Sequence, residues 1–531
     1  MSKNLQNIGL VSALTLVSRV LGLVRESATA AVFGTSGLIS AFLTGVTLPN
    51  LFRRLLAEGG LTAAYVPTLH HELETKRRDG AFALVNQVAS WLALVTGTLV
   101  LAAMLLFSQR WAIAAVGVRV GAEAETLERW QDAAHFTVIL FPYLLCVSLS
   151  AVFSATLQSF QRFLEPALSP IWLNVAIIGL LGGSVLVAAG DPAVQVYWLA
   201  AGWLLGGVLQ MAVPAWALRR QGWTPRVDFG VSPPLRAMVR LMVPTLFSSS
   251  IYLVNMSTSR LIGLSLNDQA VSVLNYAQRL MELPIGVFAV AVATVVFPLI
   301  SRHAAAGEHD KLAEAYRKGM RLILLINVPA AVGLCVLAEP IVRVILQYGA
   351  FGSADTALMT PVLLANAVGL PFLSFASLAL RAFYAHKDTR TPVNAALLSL
   401  VVNIGLSLAL MGPLAEVGLA LAGSAAAAAQ AAYLQWHLAR KQAGLAFGVL
   451  AADLVKIIAA AAVMGAAVWG GWQAWSTVLP ATKLTAALGL GIFIAAGAGV
   501  YGLLVWLMRV EGRDELAAML GKVRGRLGRR V

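Results

Sequence analysis

The chain has 531 residues, of which 59% are hydrophobic and 12% charged, and its formal net charge is +14. Soluble domains hold about 45–50% apolar and about 25% charged residues, so this chain carries more apolar surface than a water-filled surrounding tolerates. Soluble domain arrays, disordered chains, collagenous repeats and disulfide scaffolds are excluded, and lipid is the solvent for most of the sequence.

A helix needs about 20 apolar residues to cross the hydrocarbon core. The first seven residues hold one lysine, and the apolar run behind them carries Arg19 and Arg25 with no small-residue cleavage site, so no cleaved signal peptide is expected. Fourteen candidate spans follow, near 8–33, 38–58, 82–107, 133–157, 168–189, 195–218, 240–265, 270–300, 321–346, 358–384, 392–411, 416–438, 453–474 and 484–508. Backbone satisfaction in lipid makes them helices, because a barrel would show short alternating runs. The predicted fold class is therefore an all-α integral membrane protein with 14 transmembrane helices. Cys146 and Cys335 lie far apart in apolar runs and read as small core residues, not as a disulfide framework or a zinc site.

Basic residues orient these spans. The connections assigned to the cytoplasm hold 26 Lys and Arg, and the opposite loops hold 4, namely Arg110, Arg119, Arg129 and Lys483. The bias alternates loop by loop and puts both termini in the cytoplasm. Most of the positive charge is then topology and contact with anionic headgroups, with no nucleic-acid partner. The tail, Gly512–Val531, mixes leucines with basic residues as an interfacial helix or frayed end does.

An internal repeat appears along the same order. Trp216 before Arg219-Arg220 matches Trp436 before Arg440-Lys441, and Leu48-Pro49 with Val66-Pro67 matches Leu283-Pro284 with Phe297-Pro298. Phe141-Pro142 and Pro371-Phe372 form a third pair. These offsets suggest a six-helix unit used twice in one orientation, a parallel pseudo-repeat about the membrane normal. The expected division is an N-lobe at 1–230, a C-lobe at 231–445, two extra helices at 446–510 and a basic tail at 511–531. The two extra helices read as an appendage.

Nine basic residues remain outside the loops: Arg19, Arg25, Arg53, Arg54, Arg260, Arg279, Arg343, Arg381 and Lys456. Those near span ends snorkel to headgroups. Arg19, Arg25 and Arg279 lie deeper, where a charge costs at least about 2.5–3.5 kcal/mol and normally faces a wet cavity or a partner. Glu26 follows Arg25 and is placed to pair with Arg279, while Glu282 shares a helix face with Arg279. Two readings compete: a structural ion-pair network, or a cationic cavity for an anionic ligand. The excess of Arg over Glu favours the second, and guanidinium forks suit phosphate oxygens.

Other chemistries lack their residues. His70 and His71, beside Glu72 and Glu74 in the first cytoplasmic loop, read as a solvated loop and not a metal cluster. No Gly-x-x-x-x-Gly-Lys-[Ser/Thr] loop is present, so no ATP hydrolysis is expected, and there is no Gly-x-Ser-x-Gly or His-Glu-x-x-His motif. Gly179-x-x-x-Gly183 and Gly202-x-x-x-Gly206 allow close helix packing. No cofactor and no metal are expected, and none of these enzyme motifs is present.

Several motifs carry a family resemblance: Ser18-Arg19-Val20-Leu21-Gly22, Arg25-Glu26, Leu48-Pro49-Asn50-Leu51-Phe52-Arg53-Arg54-Leu55-Leu56-Ala57-Glu58-Gly59, Ala64-Tyr65-Val66-Pro67, Tyr276-Ala277-Gln278-Arg279-Leu280-Met281-Glu282-Leu283-Pro284, Gln347-Tyr348-Gly349, and Phe383-Tyr384 with Asp388 and Thr391-Pro392. With these the sequence resembles the bacterial MurJ (MviN) lipid II flippases, from the first span to about the twelfth. The resemblance implies the multidrug/oligosaccharidyl-lipid/polysaccharide exporter fold, two six-helix lobes around a central cavity, with two further helices forming a groove for a lipid tail. It implies transport of undecaprenyl-pyrophosphate-linked MurNAc-pentapeptide-GlcNAc, lipid II, for peptidoglycan synthesis, with membrane lipids and cell-wall synthesis proteins as further partners. It carries substrate binding to Arg19, Arg25, Arg53, Arg54 and Arg279, with acids at Glu26 and Glu282. Ser40 departs from the pattern, where relatives often carry Asp. A sodium site reported in some relatives would use Ser259, Asn403, Ser407 and Gly423, which include no carboxylate and so argue against sodium here.

The expected mechanism is alternating access, with the inside-negative membrane potential driving an anionic head outward. The rival readings are a same-fold exporter of another polyprenyl-linked glycan or of a drug, and a membrane-embedded glycosyl- or phosphotransferase. Drug exporters favour carboxylates for cationic ligands, and a transferase needs acidic metal-binding pairs in loops that here are mainly basic.

Overall fold

Caps and prolines set where the apolar runs become helices. The computed structural model describes residues 3–54, 61–187, 190–284, 290–386, 388–480 and 482–513. The tail from 514 onward and the motif residues Leu55 to Gly59 lie outside the described residues. In chain order the helices are α1 (Lys3–Phe33), α2 (Gly37–Arg53), α3 (Leu61–Ser108), α4 (Arg110–Val120), α5 (Ala124–Leu140), α6 (Tyr143–Ser159), α7 (Leu164–Val187), α8 (Pro192–Arg219), α9 (Pro233–Leu266), α10 (Ala270–Pro284), α11 (Val290–Ala305), α12 (His309–Val336), α13 (Ala338–Leu346), α14 (Ser353–Ala385), α15 (Arg390–Lys441), α16 (Ala451–Val478) and α17 (Lys483–Leu507). No strand occurs among the described residues. Asp191 accepts from the Ala193 N–H at 2.9 Å ahead of Pro192 and so starts α8. Ser232 does the same for α9 ahead of Pro233, accepting from the Leu235 N–H at 3.4 Å.

Among the described residues, α3, α7, α8, α12, α14, α15, α16 and α17 are each long and apolar enough to cross a membrane, and the bent pair α5–α6 is a ninth candidate. The run expected at 133–157 is two helices meeting at 44° across Phe141-Pro142, where proline has no N–H to continue the ladder. The run expected at 321–346 ends at Val336 and resumes as α13. The two runs expected at 392–411 and 416–438 are arms of α15, which turns at Ala415 (φ 45°, ψ −126°) and brings Gly418 against the Leu410 carbonyl. The segment expected as the first loop is not a loop: α3 is already helical from Leu61 and turns at Arg77 (φ 56°, ψ −148°). Helix α4 was not anticipated; it lies in a loop and closes on left-handed Gly121.

The chain forms two compact units, Met1–Ser272 with Tyr348–Phe351, and Val273–Gln347 with Gly352–Val531. In the first, α1 packs on α7, α2 on α5, and α6 and α7 on α8, while α9 packs on α2, α3 and α5. The core between α2, α5, α7 and α8 includes Phe42, Phe136, Ile177, Leu199 and Trp203. Gly202 and Gly206 let α8 approach α7, since a Cβ there would stand 2.9 Å from Ile177 Cα and 3.0 Å from Leu173 Cα. Gly179 and Gly183 face open space, so the first of the two glycine motifs is not used for packing within the chain. Cys146 and Cys335 are free thiols and half-buried, not core residues.

In the second unit, α14 packs on α12 and α15, and α16 packs on α12 and α17. The two C-terminal helices are part of its main core and not an appendage: Ile457, Ala461, Met464, Leu490, Tyr501 and Val505 share one cluster with Leu322, Ile323 and Leu325 of α12. Three polar ties reinforce it. Arg321 Nε donates to Asp453 Oδ2 at 2.7 Å, Arg321 also pairs with Glu511, and the Tyr501 hydroxyl donates to the Leu325 carbonyl at 2.8 Å.

Asp388 ties the α14–α15 connection. Its Oδ1 accepts from the N–H groups of Arg390 (3.0 Å) and Thr391 (3.1 Å), and its Oδ2 accepts from Thr391 Oγ1 (2.8 Å) and pairs with Lys441. Burial alone would raise this carboxyl, but Lys441 and the Thr391 hydrogen bonds outweigh it and pull the pKa down to about 2. A folded-state value below the unfolded one stabilises at high pH. The contribution is complete above the ordinary carboxylate range and is lost as pH falls through about 2. The melting-temperature difference between the parent chain and Asp388→Asn is therefore expected to be flat from neutral pH to about pH 5 and to shrink below about pH 4. A difference independent of pH down to pH 3 would show that the charge plays no part.

Candidate anion-binding site

Arg25 is only 8% exposed and Glu26 5% exposed on α1, within an apolar stretch that also holds Arg19. Arg25 Nη2 donates to Glu26 Oε1 at 2.5 Å, and Nη1 donates to Asn174 Oδ1 of α7 at 3.1 Å. The Asn174 amide also donates to the Ser18 carbonyl at 3.1 Å, so one side chain fixes both the guanidinium and the helix that carries it. The Trp203 ring of α8 lies 5.4 Å from the Arg25 guanidinium carbon, within cation–π range. The close α7–α8 approach at Gly202 and Gly206 is what sets Asn174 and Trp203 beside Arg25. Two of its five N–H donors are engaged by these two side chains.

The other expected binding residues are placed as follows. Arg19 is half-buried, six residues before Arg25 on α1 and so about 120° around the helix from it. Arg53 and Arg54 are half-buried at the end of α2, where Arg53 Nε donates to Asn50 Oδ1 at 3.3 Å. In the second unit Arg279 Nη1 donates to Glu282 Oε2 at 2.8 Å along α10, and both side chains are partly exposed. The structure thus brings Arg25 together with Glu26, and Arg279 together with Glu282. Sequence reasoning missed Asn174 and Trp203. A signal existed for the first, since Asn174 is the one amide or charged side chain between 168 and 187.

Ser40, the departure from the family pattern, is fully buried, and its hydroxyl accepts from the Ser272 N–H at 3.2 Å in the first turn of α10. It satisfies a donor that the helix cannot satisfy itself, a task an aspartate could also perform. His70 and His71 are exposed on α3, and Glu72 pairs with Lys76 at 3.1 Å. Of the four positions considered for sodium, Asn403 and Ser407 are buried on α15, and Ser259 is half-buried on α9. Among the described residues no three His, Cys, Asp or Glu side chains are grouped to hold a metal ion.

Gly349 shows why the Gln347-Tyr348-Gly349 motif needs glycine. Its φ is +54°, and a Cβ would stand 2.2 Å from the Ala31 carbonyl oxygen, which accepts from the Ala350 N–H at 2.7 Å. The end of α1 is clamped there. Gly349→Ala is expected to lower stability by at least about 1–3 kcal/mol, the scale of one strained backbone position, read as a lower melting temperature in detergent. An unchanged melting temperature would mean that the clamp yields without cost.

Among the described residues, eight helices long and apolar enough to cross a membrane define a multi-span membrane protein that holds a buried Arg25–Glu26 pair. The fold is similar to that of a lipid II flippase MurJ in an inward closed conformation (TM-score 0.75, 23% identity, covering 96% of this chain and 99% of that one). It is also similar to that of an inward-facing multidrug resistance MATE family transporter of the MOP superfamily (TM-score 0.65, 17% identity, covering 82% and 98%). The family described as Lipid II flippase MurJ matches residues 29–487. A probable lipid II flippase MurJ of Rhizobium tropici is 32% identical over 505 residues, covering 94% of this chain and 93% of the relative. The Rhizobium meliloti (strain 1021) protein of the same description is 33% identical over 501 residues, covering 92% and 91%. The chain belongs to the MurJ lipid II flippase family.

Proposed function

We propose that this chain moves lipid II from the cytoplasmic to the outer leaflet of the bacterial inner membrane, supplying peptidoglycan synthesis. The observation that carries the reading is similarity along almost the whole chain to proteins described as lipid II flippases. The chain is a transporter and not an enzyme. Its 14 spans form two six-helix lobes, 1–230 and 231–445, with 446–510 guiding the polyprenyl tail and both termini in the cytoplasm. The pyrophosphate binds Arg25, Arg53 and Arg279, with Arg19, Arg54, Glu26 and Glu282 completing the charge of the path. Buried Arg25, oriented by Asn174, supports this assignment. The lobes alternate in access, and the membrane potential supplies direction.

The test is replacement. In cells depleted of their own flippase, expression of this chain is expected to restore growth and to return lipid II to the outer face, read by the leaflet in which lipid II accumulates. Continued accumulation in the inner leaflet, with the chain present in the membrane fraction, would overturn the proposal.

A further inference from the structure

A second feature of the first unit lies apart from the arginines assigned to pyrophosphate. The connection from α8 to α9 is strapped along α3. Asn86 Oδ1 accepts from Trp223 Nε1 at 2.8 Å and from the Arg226 N–H at 3.3 Å, and Ser90 Oγ accepts from the Asp228 N–H at 2.9 Å. Trp91 donates to the Gly230 carbonyl at 3.4 Å and packs edge-on against Phe229. With the polar groups of the strap satisfied in this way, a groove of about 500 Å³ opens just beyond it, between α3 and the first turns of α9. Its walls are Trp91, Leu92, Val95, Leu235, Met238 and Val239, and two further lining residues, Arg236 and Arg240, bring guanidinium groups. Both arginines are exposed, four residues apart on one helix face, and no carboxylate lines the groove. Among the described residues neither guanidinium has a hydrogen bond or an ion pair.

We propose that this groove is a binding site for an anionic glycerophospholipid, one acyl chain lying along α3 and the phosphate meeting Arg236 and Arg240. The volume falls within the range of about 300–1,000 Å³ typical of small-molecule sites, and the apolar walls offer an acyl chain contact without leaving a polar group unsatisfied. Charge complementarity selects the headgroup. Two guanidiniums favour a net negative phosphodiester, whereas a zwitterionic headgroup brings its own cation against them. The groove sits at the end of the unit that the basic loops assign to the cytoplasm, where anionic lipids meet juxtamembrane arginines.

The experiment uses the full chain, purified in detergent and titrated with dioleoyl phosphatidylglycerol or dioleoyl phosphatidylcholine, with bound lipid counted by native mass spectrometry. One phosphatidylglycerol is expected to bind roughly thirty-fold more tightly than phosphatidylcholine, from about 1 kcal/mol for each of two arginines at 1.4 kcal/mol per tenfold. Arg236→Glu with Arg240→Glu abolishes that preference, and Arg236→Lys with Arg240→Lys keeps most of it. Val239→Trp fills the slot and weakens retention of phosphatidylglycerol with the charges intact. Each variant is first required to be monodisperse. Equal retention of the two lipids by the parent chain, or an undiminished preference in the charge-reversed variant, would overturn the proposal. So would displacement of the bound phosphatidylglycerol by equimolar undecaprenyl phosphate, which would make the groove a seat for the transported lipid's tail.

Discussion

Arg25→Ala is expected to abolish complementation of a flippase-depleted cell, and adding Glu26→Gln is expected to restore the protein's stability without restoring growth. The pair separates two roles of one residue. Arg25 and Glu26 are both buried and lie 2.5 Å apart, and removing one partner of such a pair destabilises by about 3–5 kcal/mol, because the other charge keeps its burial and loses its neutralising neighbour. Neutralising Glu26 as well relieves that penalty. The transport defect has another origin. A guanidinium fork on a phosphate makes charged hydrogen bonds of about 1.5–3 kcal/mol each, so losing two of them lowers ligand occupancy by at least about a hundredfold. Arg25→Lys keeps the charge and loses the planar fork, and is expected to transport poorly at normal protein levels. The readouts are growth, the amount of chain in the membrane fraction and the melting temperature. Growth of the Arg25→Ala/Glu26→Gln double variant at the parent rate would reduce Arg25 to a structural ion pair.

The second large effect is electrical. In liposomes holding the full chain, lipid II is expected to move outward faster when the interior is negative, with sodium equal on both sides. One net negative charge crossing 100 mV is worth about 2.3 kcal/mol, which shifts the leaflet ratio by up to about 45-fold. A carboxylate-free set at Ser259, Asn403, Ser407 and Gly423 gives sodium little to bind, so a sodium gradient imposed without a potential is expected to add little. Strict dependence on the sodium gradient, with no response to voltage, would refute this and direct attention to those four positions.

Hydropathy made the helices legible because lipid imposes one requirement everywhere: apolar side chains outside and hydrogen bonds inside. It could not show where a run breaks. The Phe141-Pro142 bend and the end of α12 at Val336 fall inside runs read as single spans, 133–157 and 321–346, whereas the turn at Ala415 falls in the gap between the runs read at 392–411 and 416–438. Helix α4 was missed for the opposite reason, since 11 residues are too few to register as a span. At the site, burial costs made Arg25 and Glu26 visible, because a charge in an apolar run has few innocent explanations. Asn174 stands out in its apolar run, but its partnership with Arg25, and that of Trp203, was not readable. Asn174 and Trp203 lie about 150 and 180 positions further along the chain, and only the close packing of α7 on α8 brings them together.

The way α16 and α17 enter the core of the second unit constrains how such a protein can change over generations. Their residues cover the apolar stripe of α12 around Leu322, Ile323 and Leu325, and Arg321 is neutralised by Asp453 from the same pair of helices and by Glu511 just beyond them. A lineage that shed the last two helices would at one stroke expose that stripe and leave Arg321 without the two acids that flank it. No single substitution repairs both faults. Gaining the pair could proceed in small steps, each new contact adding to the last, but losing it requires several coordinated replacements along α12 beforehand, so the longer chain acts as a ratchet in the history of the fold.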